Sequence, residues 1–216
     1  MKEQGNKTFW SRWSGFYDRF MHSNARLYDA IAAKMKGSLN RQMNVLELAC
    51  GTGLISGQIA GSVKSIEATD FSPEMIAEAK KKPHSARLHY SVQDATNLPY
   101  GSETFDAVVI TNALHIMPEP EKALSEARRV LKENGILIAP TFVHGEGIGF
   151  RLRTRVMELT GFRTYHKWDA RDFEKFVSQC GFTATEERLM GSSIAPLCYL
   201  EARKDTNKRG KSYEPA

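Results

Sequence analysis

From Met43 onward, short apolar runs alternate with stretches whose apolar residues recur at helical spacing. The apolar runs predict five buried strands, over residues 43–48, 64–69, 86–92, 105–111 and 135–140. Between them, the spacing predicts helices over residues 54–60, 72–82 and 120–132. Strands that alternate with helices in this way predict a parallel sheet joined by right-handed crossovers.

Further elements are predicted on both sides of this region. Residues 9–36 are amphipathic and rich in aromatic side chains, which predicts a helix that packs on the core or covers a bound substrate. Two more helices are predicted over residues 150–160 and 170–179, and two last strands over 182–189 and 194–202. We therefore expect an α/β fold: a Rossmann-like, doubly wound, mostly parallel seven-stranded sheet with an antiparallel edge and an N-terminal helical lid.

Composition divides the chain into three parts without adding a second large domain. We expect the lid over residues 1–37, the α/β domain over 38–204 and a disordered basic tail over 205–216. The net charge is +5, and five basic residues cluster close to the C-terminus, where apolar residues are almost absent. This position of the charge weakens an interpretation as a DNA-binding or RNA-binding protein.

Cysteine usage and hydropathy bear on the compartment. Cys50, Cys180 and Cys198 show no metal-pair spacing, which favours a reducing environment and predicts no metal site. No apolar run approaches the roughly 18 residues that suggest a membrane span. The N-terminal residues also lack the apolar core of a signal peptide. We expect a cytoplasmic protein that does not act at a membrane.

A small-residue segment, Glu47-Leu48-Ala49-Cys50-Gly51-Thr52-Gly53, directly follows the first predicted strand. Gly51 and Gly53 lack side chains, so the backbone there can turn sharply and come close to a ligand. Taken alone, the segment is also a near match to a dinucleotide-binding loop, because both patterns serve a nucleotide at a strand-to-helix turn.

Two acidic residues follow the next two predicted strands. Asp70 can accept hydrogen bonds from both hydroxyls of a ribose, which adenosine and NAD both offer, or it can be a strand-end acid with a local capping role. Asp94, followed by Ala95, can accept a hydrogen bond from the exocyclic amine of adenine, or it can cap the next segment. Parallel sheets bind ligands at the carboxyl ends of their strands, which is where these residues are expected.

These segments, together with Phe105-Asp106 and in this order, resemble the motifs of class I S-adenosylmethionine-dependent methyltransferases. The segment from Ala123 to Gly135 is similar to its counterpart in small-molecule members, including the ubiquinone and menaquinone biosynthesis methyltransferases. The resemblance covers residues 43–141 and implies S-adenosylmethionine as the cofactor.

The resemblance also implies a set of cofactor-binding residues. The loop from Glu47 through Ala49, Gly51 and Gly53 would wrap the methionine part, and Asn112 would lie beside it. Asp70 would hold the ribose next to Phe71, and Asp94 and Ala95 would hold the adenine. The chain departs from the pattern at Ala49, where many members have glycine, and because alanine is also small we expect a local adjustment only.

Methyl transfer from a sulfonium is an in-line displacement that depends mainly on alignment, since the donor is already activated. An acceptor that is a thiolate, a carbon nucleophile or an amine needs little more, whereas a hydroxyl needs a general base. His115 and His144, in the segments after the fourth and fifth strands, are the candidate catalytic bases, with His166 a weaker one. Each of these histidines can equally be a hydrogen-bonded loop residue without a catalytic part.

The sequence favours a small organic acceptor. It contains no Asn-Pro-Pro-Tyr or Asp-Pro-Pro-Tyr segment, and the residues after the fourth strand lack the carboxylates of a metal-dependent catechol enzyme. Aromatic side chains for an acceptor pocket are available at Phe150, Phe162, Tyr165 and Trp168. Three alternatives remain. One is an NAD-dependent oxidoreductase, which leaves Asp94 unexplained and lacks a Tyr-x-x-x-Lys pattern, and another is a non-catalytic S-adenosylmethionine-binding module. The third is a methyltransferase whose acceptor is RNA or a lipid surface, which it would approach with its basic tail.

Overall fold

The computed structural model of the chain describes residues 24–144, 164–192 and 195–205. The helices of this part are α1 (Ala25–Ser38), α2 (Leu54–Ile59), α3 (Pro73–Lys81), α4 (Pro120–Val130) and α5 (Ala170–Gln179). The strands are β1 (Asn44–Leu48), β2 (Ser65–Asp70), β3 (Leu88–Val92), β4 (Phe105–Ile110), β5 (Leu131–Ile138), β6 (Thr141–Phe142), β7 (Phe182–Ser192) and β8 (Ala195–Lys204). The predicted helix over 150–160, residues 1–23 and residues 206–216 of the predicted tail lie outside the described residues.

All eight strands belong to one sheet, whose order is β3-β2-β1-β4-β5-β8, with β6 and β7 also paired to β8. The first five strands are parallel, and β8 is antiparallel to β5, β6 and β7. The predicted mostly parallel sheet with an antiparallel edge is thereby confirmed. The strand count rises to eight because residues 141–142 add a very short strand opposite Cys198 and Leu197.

Two apolar layers cover the two faces of the sheet, as a doubly wound fold requires. Side chains from α1, α2 and α3 join one buried cluster, and side chains from α4 and α5 join the other. Successive residues of the central strands alternate between these layers: Val109 of β4 belongs to the first cluster and Val108 to the second. The chain therefore crosses from one face to the other between β3 and β4.

Local signals set most helix starts. Pro73 occupies the first turn of α3, and the Ser72 hydroxyl accepts a hydrogen bond from the Met75 amide at 3.2 Å, as the sequence predicts. The boundary between α4 and β5 differs from expectation: α4 ends at Val130, and β5 already begins at Leu131. The reason is that Leu131 pairs with Phe105 of β4 before a bulge in the register.

Helix α1 is the described part of the predicted N-terminal lid, and it packs on the core. Its buried residues are Tyr28, Ile31, Ala32 and Met35. At its C-terminal end, Ser38 Oγ donates to Glu201 Oε1 at 2.7 Å, and the same oxygen accepts from Tyr199 Oη at 2.6 Å. These contacts attach α1 to β8. Whether residues 9–23, which precede α1, cover a bound substrate stays a prediction.

Two features of the described residues bear on membrane insertion and on metal binding. Within the described ranges, no helix is long and apolar enough to cross a membrane. In the same part of the chain, no group of three or more histidine, cysteine, aspartate or glutamate side chains is arranged to hold a metal ion.

Candidate functional site

A cavity of about 220 Å³ opens at the carboxyl ends of the parallel strands. It lies at the switch point of the sheet, where the crossover from β1 leads to β2 on one side and β4 begins the other side. Segments after four strands contribute to its wall: Ala49 and Gly51, Asp70 to Ser72, Asp94 to Thr96, and Thr111 to Ala113. Residues that are far apart in the chain therefore meet at one place because their strands end at the same edge.

The small-residue loop after β1 has an unusual backbone. Ala49, Gly51 and Gly53 all have positive φ, of +54°, +55° and +78°. Such values are natural for glycine and unfavourable for alanine, whose Cβ then crowds the following carbonyl. Gly53 is also closely packed, since an added Cβ would lie 2.2 Å from the hydroxyl of Tyr90. The loop therefore needs glycine at Gly53 for two separate reasons.

The alanine at position 49 is a source of strain, so we expect Ala49→Gly to stabilise the protein. Glycine removes the cost of the left-handed conformation, which is about 1–2 kcal/mol for alanine. Glycine also increases the entropy of the unfolded chain, which lowers the free energy of unfolding by about 0.5–1 kcal/mol. The net gain, about 0.5–1 kcal/mol, is measurable by urea denaturation. The control is Ala113→Gly in the same pocket wall, where φ is −116° and glycine should destabilise. A less stable Ala49→Gly variant would contradict the strain.

Glu47, at the start of the loop, is outside the described cavity wall. Its side chain is buried and accepts a hydrogen bond from Ser56 Oγ of α2. Burial raises the pKa of Glu47 to about 8, and repulsion from Asp70 adds to this although the Ser56 hydroxyl opposes it. The hydrogen bond from Ser56 joins the end of β1 to α2 across the loop, so a contact between Glu47 and the cofactor stays a prediction.

Asp70 lies in the wall and is held there by backbone amides. One carboxylate oxygen accepts from the Gly51 amide at 2.8 Å, and the other accepts from the Ser72 amide at 2.9 Å. Burial raises the pKa of Asp70, while these amides oppose the shift. The Phe71 amide also donates to this carboxylate, and because a carboxylate has about four lone-pair positions, capacity remains for a further hydrogen bond. The glycine loop and the end of β2 are thus joined at this side chain.

Asp94 and Ala95 also line the cavity, at the end of β3. Asp94 Oδ1 accepts from the amide of Thr96 at 2.8 Å and from its hydroxyl at 2.7 Å. The carboxylate therefore forms the local turn that was the alternative interpretation of this residue. This turn engages Oδ1, so the proposed contact with adenine would use the rest of the carboxylate.

The turn after β4 completes the wall. Asn112 has a φ of +53°, and its side chain contacts other protein groups: Nδ2 donates to Tyr28 Oη at 2.8 Å, and Oδ1 accepts from the Phe142 amide at 3.1 Å. The neighbouring Thr111 Oγ1 is buried, and among the described residues it has no hydrogen-bond partner. A buried hydroxyl without a partner in a cavity wall is suited to a polar ligand atom.

Neither predicted catalytic histidine lines this cavity. His115 is buried, and burial together with repulsion from His166 lowers its pKa to about 4, so the ring is neutral at pH 7. His144 is exposed, and partial burial together with Lys167 lowers its pKa. The backbone carbonyl of His115 accepts from the amides of Tyr165 and His166, at 3.0 and 3.1 Å. This brings His115 and His166 together beside the cavity.

The residues around the cavity match a known protein family. Residues 46–139 match the family model of a methyltransferase domain. This segment is therefore similar to a methyltransferase domain, over slightly less than half of the chain. The matched residues include the loop after β1, the ends of β2, β3 and β4, and all of β5, and therefore every residue of the described cavity wall.

Curated relatives of this methyltransferase domain include demethylmenaquinone methyltransferases. The chain is 37% identical over 99 residues to that of Clavibacter sepedonicus, which covers 45% of this chain and 40% of the relative. It is 39% identical over 100 residues to that of Paenarthrobacter aurescens, covering 46% and 39%. The chain thus spans about two fifths of the length of these relatives.

Solved structures extend the likeness of the fold over nearly the whole chain. An S-adenosylmethionine-dependent methyltransferase of Thermotoga maritima superposes with a TM-score of 0.71 at 20% identity, over 91% of this chain and 99% of that one. At this identity the match concerns the fold alone. It agrees with the methyltransferase domain found by sequence.

The sequence motifs did not indicate every residue of the cavity wall. The additional lining residues are Ser72, Met75, Thr96, Ile116, Met117, Pro118 and Glu119. Ser72 and Thr96 lie within four residues of predicted strand ends, so position alone could have indicated them. Met75 lies on the first turn of α3, Ile116 ends a short 3-10 helix, Leu114–Ile116, and residues 117–119 follow it. No periodicity marks these positions because single turns are too short to show one.

Proposed function

We propose that the protein binds S-adenosylmethionine in this cavity and transfers its methyl group to a small organic acceptor. The observation that carries the proposal is the convergence of Gly51, Asp70, Asp94 and Thr111 on one cavity at the switch point of the sheet. Such a wall offers small residues at one strand end, a carboxylate at each of the next two, and a hydroxyl at the fourth. This set matches the amino-acid, ribose and adenine parts of the cofactor.

The residues fit this cofactor chemically. Asp70 would accept hydrogen bonds from the ribose hydroxyls, because its carboxylate retains hydrogen-bonding capacity beyond the backbone amides that already donate to it. Phe71, whose side chain is 41% exposed in the cavity wall, would cover the adenosine with its apolar face. Thr111 Oγ1 would gain the partner that it lacks among the described residues. Asp94 and Ala95 would lie at the adenine end.

The bound cofactor supplies an activated methyl group, so the work of the chain is alignment and the exclusion of water. Alignment alone is worth about 7–11 kcal/mol in favourable cases. If the acceptor is a hydroxyl, a base is also needed, and we propose His115 or His144 for that step. His115 is neutral at pH 7 and can accept a proton, whereas its low pKa makes it a weak base.

The acceptor is proposed to be a small aromatic or quinol-like molecule. The curated relatives act, by their names, on demethylmenaquinone. Trp168 stacks with His166 at 4.8 Å and with Phe176 at 4.5 Å between ring centroids, next to the His115 segment. This aromatic cluster is suited to a flat apolar acceptor. The three cysteines are all free, which agrees with the proposed cytoplasmic location.

Calorimetric titration separates the proposal from the oxidoreductase and the non-catalytic module. S-adenosylmethionine and S-adenosylhomocysteine should bind with a stoichiometry of one, and NAD should give no heat of binding. Tight NAD binding without S-adenosylmethionine binding would replace the methyltransferase by an oxidoreductase. Transfer of labelled methyl groups to a panel of thiols, phenols, quinols, amines and phospholipids then tests catalysis. Cofactor binding with no transfer to any member would favour the non-catalytic module.

A further inference from the structure

We propose that Asn112 is a positioning residue of the cofactor cavity, which acts through hydrogen bonds to Tyr28 and Phe142. Its side-chain amide would hold the turn after β4 in shape and would not itself contact the cofactor. The inference deepens the proposed function and rests on it. It also assigns a role in cofactor affinity to Tyr28, a residue of α1 that lies outside the described cavity wall.

The orientation of the Asn112 side chain follows from its partners. The Phe142 amide can only donate, so the side-chain atom at 3.1 Å from it must be the oxygen. The nitrogen then points to Tyr28 Oη, at 2.8 Å. Both ends of the amide are therefore engaged with protein groups on different elements. The residue's own backbone amide adds a third bond, to the Pro140 carbonyl at 2.7 Å.

The backbone of Asn112 explains why these bonds matter for the cavity. Its φ of +53° lies in the left-handed region, which asparagine enters more readily than most residues but at some cost. The side-chain bonds offset that cost. Thr111 and Ala113, on either side, both line the cavity, and a rotation at Asn112 would displace both. The position of the unpartnered Thr111 hydroxyl thus depends on the Asn112 turn.

Tyr28 connects this turn to the helix layer. Its side chain is 5% exposed and packs in the cluster formed by α1, α2 and α3. Because the tyrosine ring is fixed by that packing, its hydroxyl is a rigid partner for Asn112. Loss of the hydroxyl should loosen the turn without opening a large gap in the core. Cofactor affinity should consequently respond to a change made outside the cavity.

Titration with S-adenosylhomocysteine tests this role in the full chain. Tyr28→Phe should weaken its binding about three- to tenfold, the value of one neutral hydrogen bond. Asn112→Gly keeps the left-handed backbone and removes both side-chain bonds, so it should weaken binding at least as much. In the double variant the two losses should not add, because both changes remove the same hydrogen bond.

Tyr199→Phe is the matched control. It also removes a buried tyrosine hydroxyl, one that donates to Glu201 at 2.6 Å, and Tyr199 lies outside the described cavity wall. This variant should lower the melting temperature and leave the affinity for S-adenosylhomocysteine unchanged. The comparison of Tyr28→Phe with Tyr199→Phe decides the question even when Asn112→Gly fails to fold.

Two results would overturn the positioning role. One is a Tyr28→Phe protein with wild-type affinity, which would show that the hydroxyl has no influence on the cavity. The other is a double variant, Tyr28→Phe with Asn112→Gly, in which the two losses of affinity add. That result would indicate that Asn112 contacts the ligand directly. A wild-type protein that does not bind S-adenosylhomocysteine would instead refute the proposed function itself, so the two failures are distinguishable.

Discussion

Asp70→Ala is expected to weaken S-adenosylmethionine binding by about 100-fold. Two hydrogen bonds from ribose hydroxyls to a carboxylate are worth about 1.5–3 kcal/mol each, and a loss of about 3 kcal/mol corresponds to that factor. The variant also releases the Gly51 amide, which now donates to Asp70 at 2.8 Å and helps to shape the loop. Calorimetry at constant pH and salt measures the change directly.

Asp106→Ala is the control for this experiment. Asp106 is also a strand aspartate that accepts a backbone amide, from Asn44 at 2.8 Å, and its second oxygen accepts from Lys132 at 2.7 Å. It lies near the start of β4, at the opposite end of the strand from the cavity. Its removal should reduce stability and leave cofactor affinity unchanged. An Asp70→Ala protein that binds as tightly as the Asp106→Ala protein would refute the ribose assignment.

Gly53→Ala is expected to cause the largest loss of stability, about 2–5 kcal/mol. The left-handed backbone, with φ of +78°, costs alanine about 1–2 kcal/mol. The new Cβ would also lie 2.2 Å from Tyr90 Oη and 2.8 Å from its ring carbon Cζ, and such overpacking costs about 1–3 kcal/mol. Tyr90 is only 8% exposed, so its ring has little room to move. Urea denaturation gives the free energy of unfolding.

Gly57→Ala tests whether the effect is specific. Gly57 lies in α2, is exposed, and has nothing within 4 Å of the place where a Cβ would be. Alanine in a helix interior is more favourable than glycine by about 0.5–1 kcal/mol, so this variant should be slightly more stable than the wild type. If Gly53→Ala were as stable as Gly57→Ala, the inference that Tyr90 packs closely against the loop would be wrong.

The pattern of apolar runs predicted the parallel sheet because buried strands and amphipathic helices have different periods, which is a local property of the chain. Strand ends could also be located, and with them Asp70 and Asp94, since parallel strands place their carboxyl ends at one edge. Strand β6 was missed because two residues show no period. It exists through pairing with Cys198 and Leu197, which belong to a distant part of the chain.

Other features of the site depend on packing between distant residues. His115 could be placed near the cofactor mouth from the sequence, but its burial and its low pKa follow from the surrounding side chains and from His166. Asn112 was expected beside the methionine part of the cofactor. Its hydrogen bonds to Tyr28 and Phe142 depend on α1 and β6 lying next to the turn after β4, which the sequence does not show.

The sequence by itself determined the order of strands and helices, the glycine loop and, through an ordered set of motifs, the class of methyl donor. These are properties of short segments, and the physical chemistry of turns, caps and buried strands acts within such segments. The tertiary structure alone decided that Ala49 is strained, that Glu47 is hydrogen-bonded to Ser56 of α2 and that Asn112 is hydrogen-bonded to Tyr28 of α1. Each of these depends on which distant atoms come within a few ångströms, and that distance is a property of the folded chain.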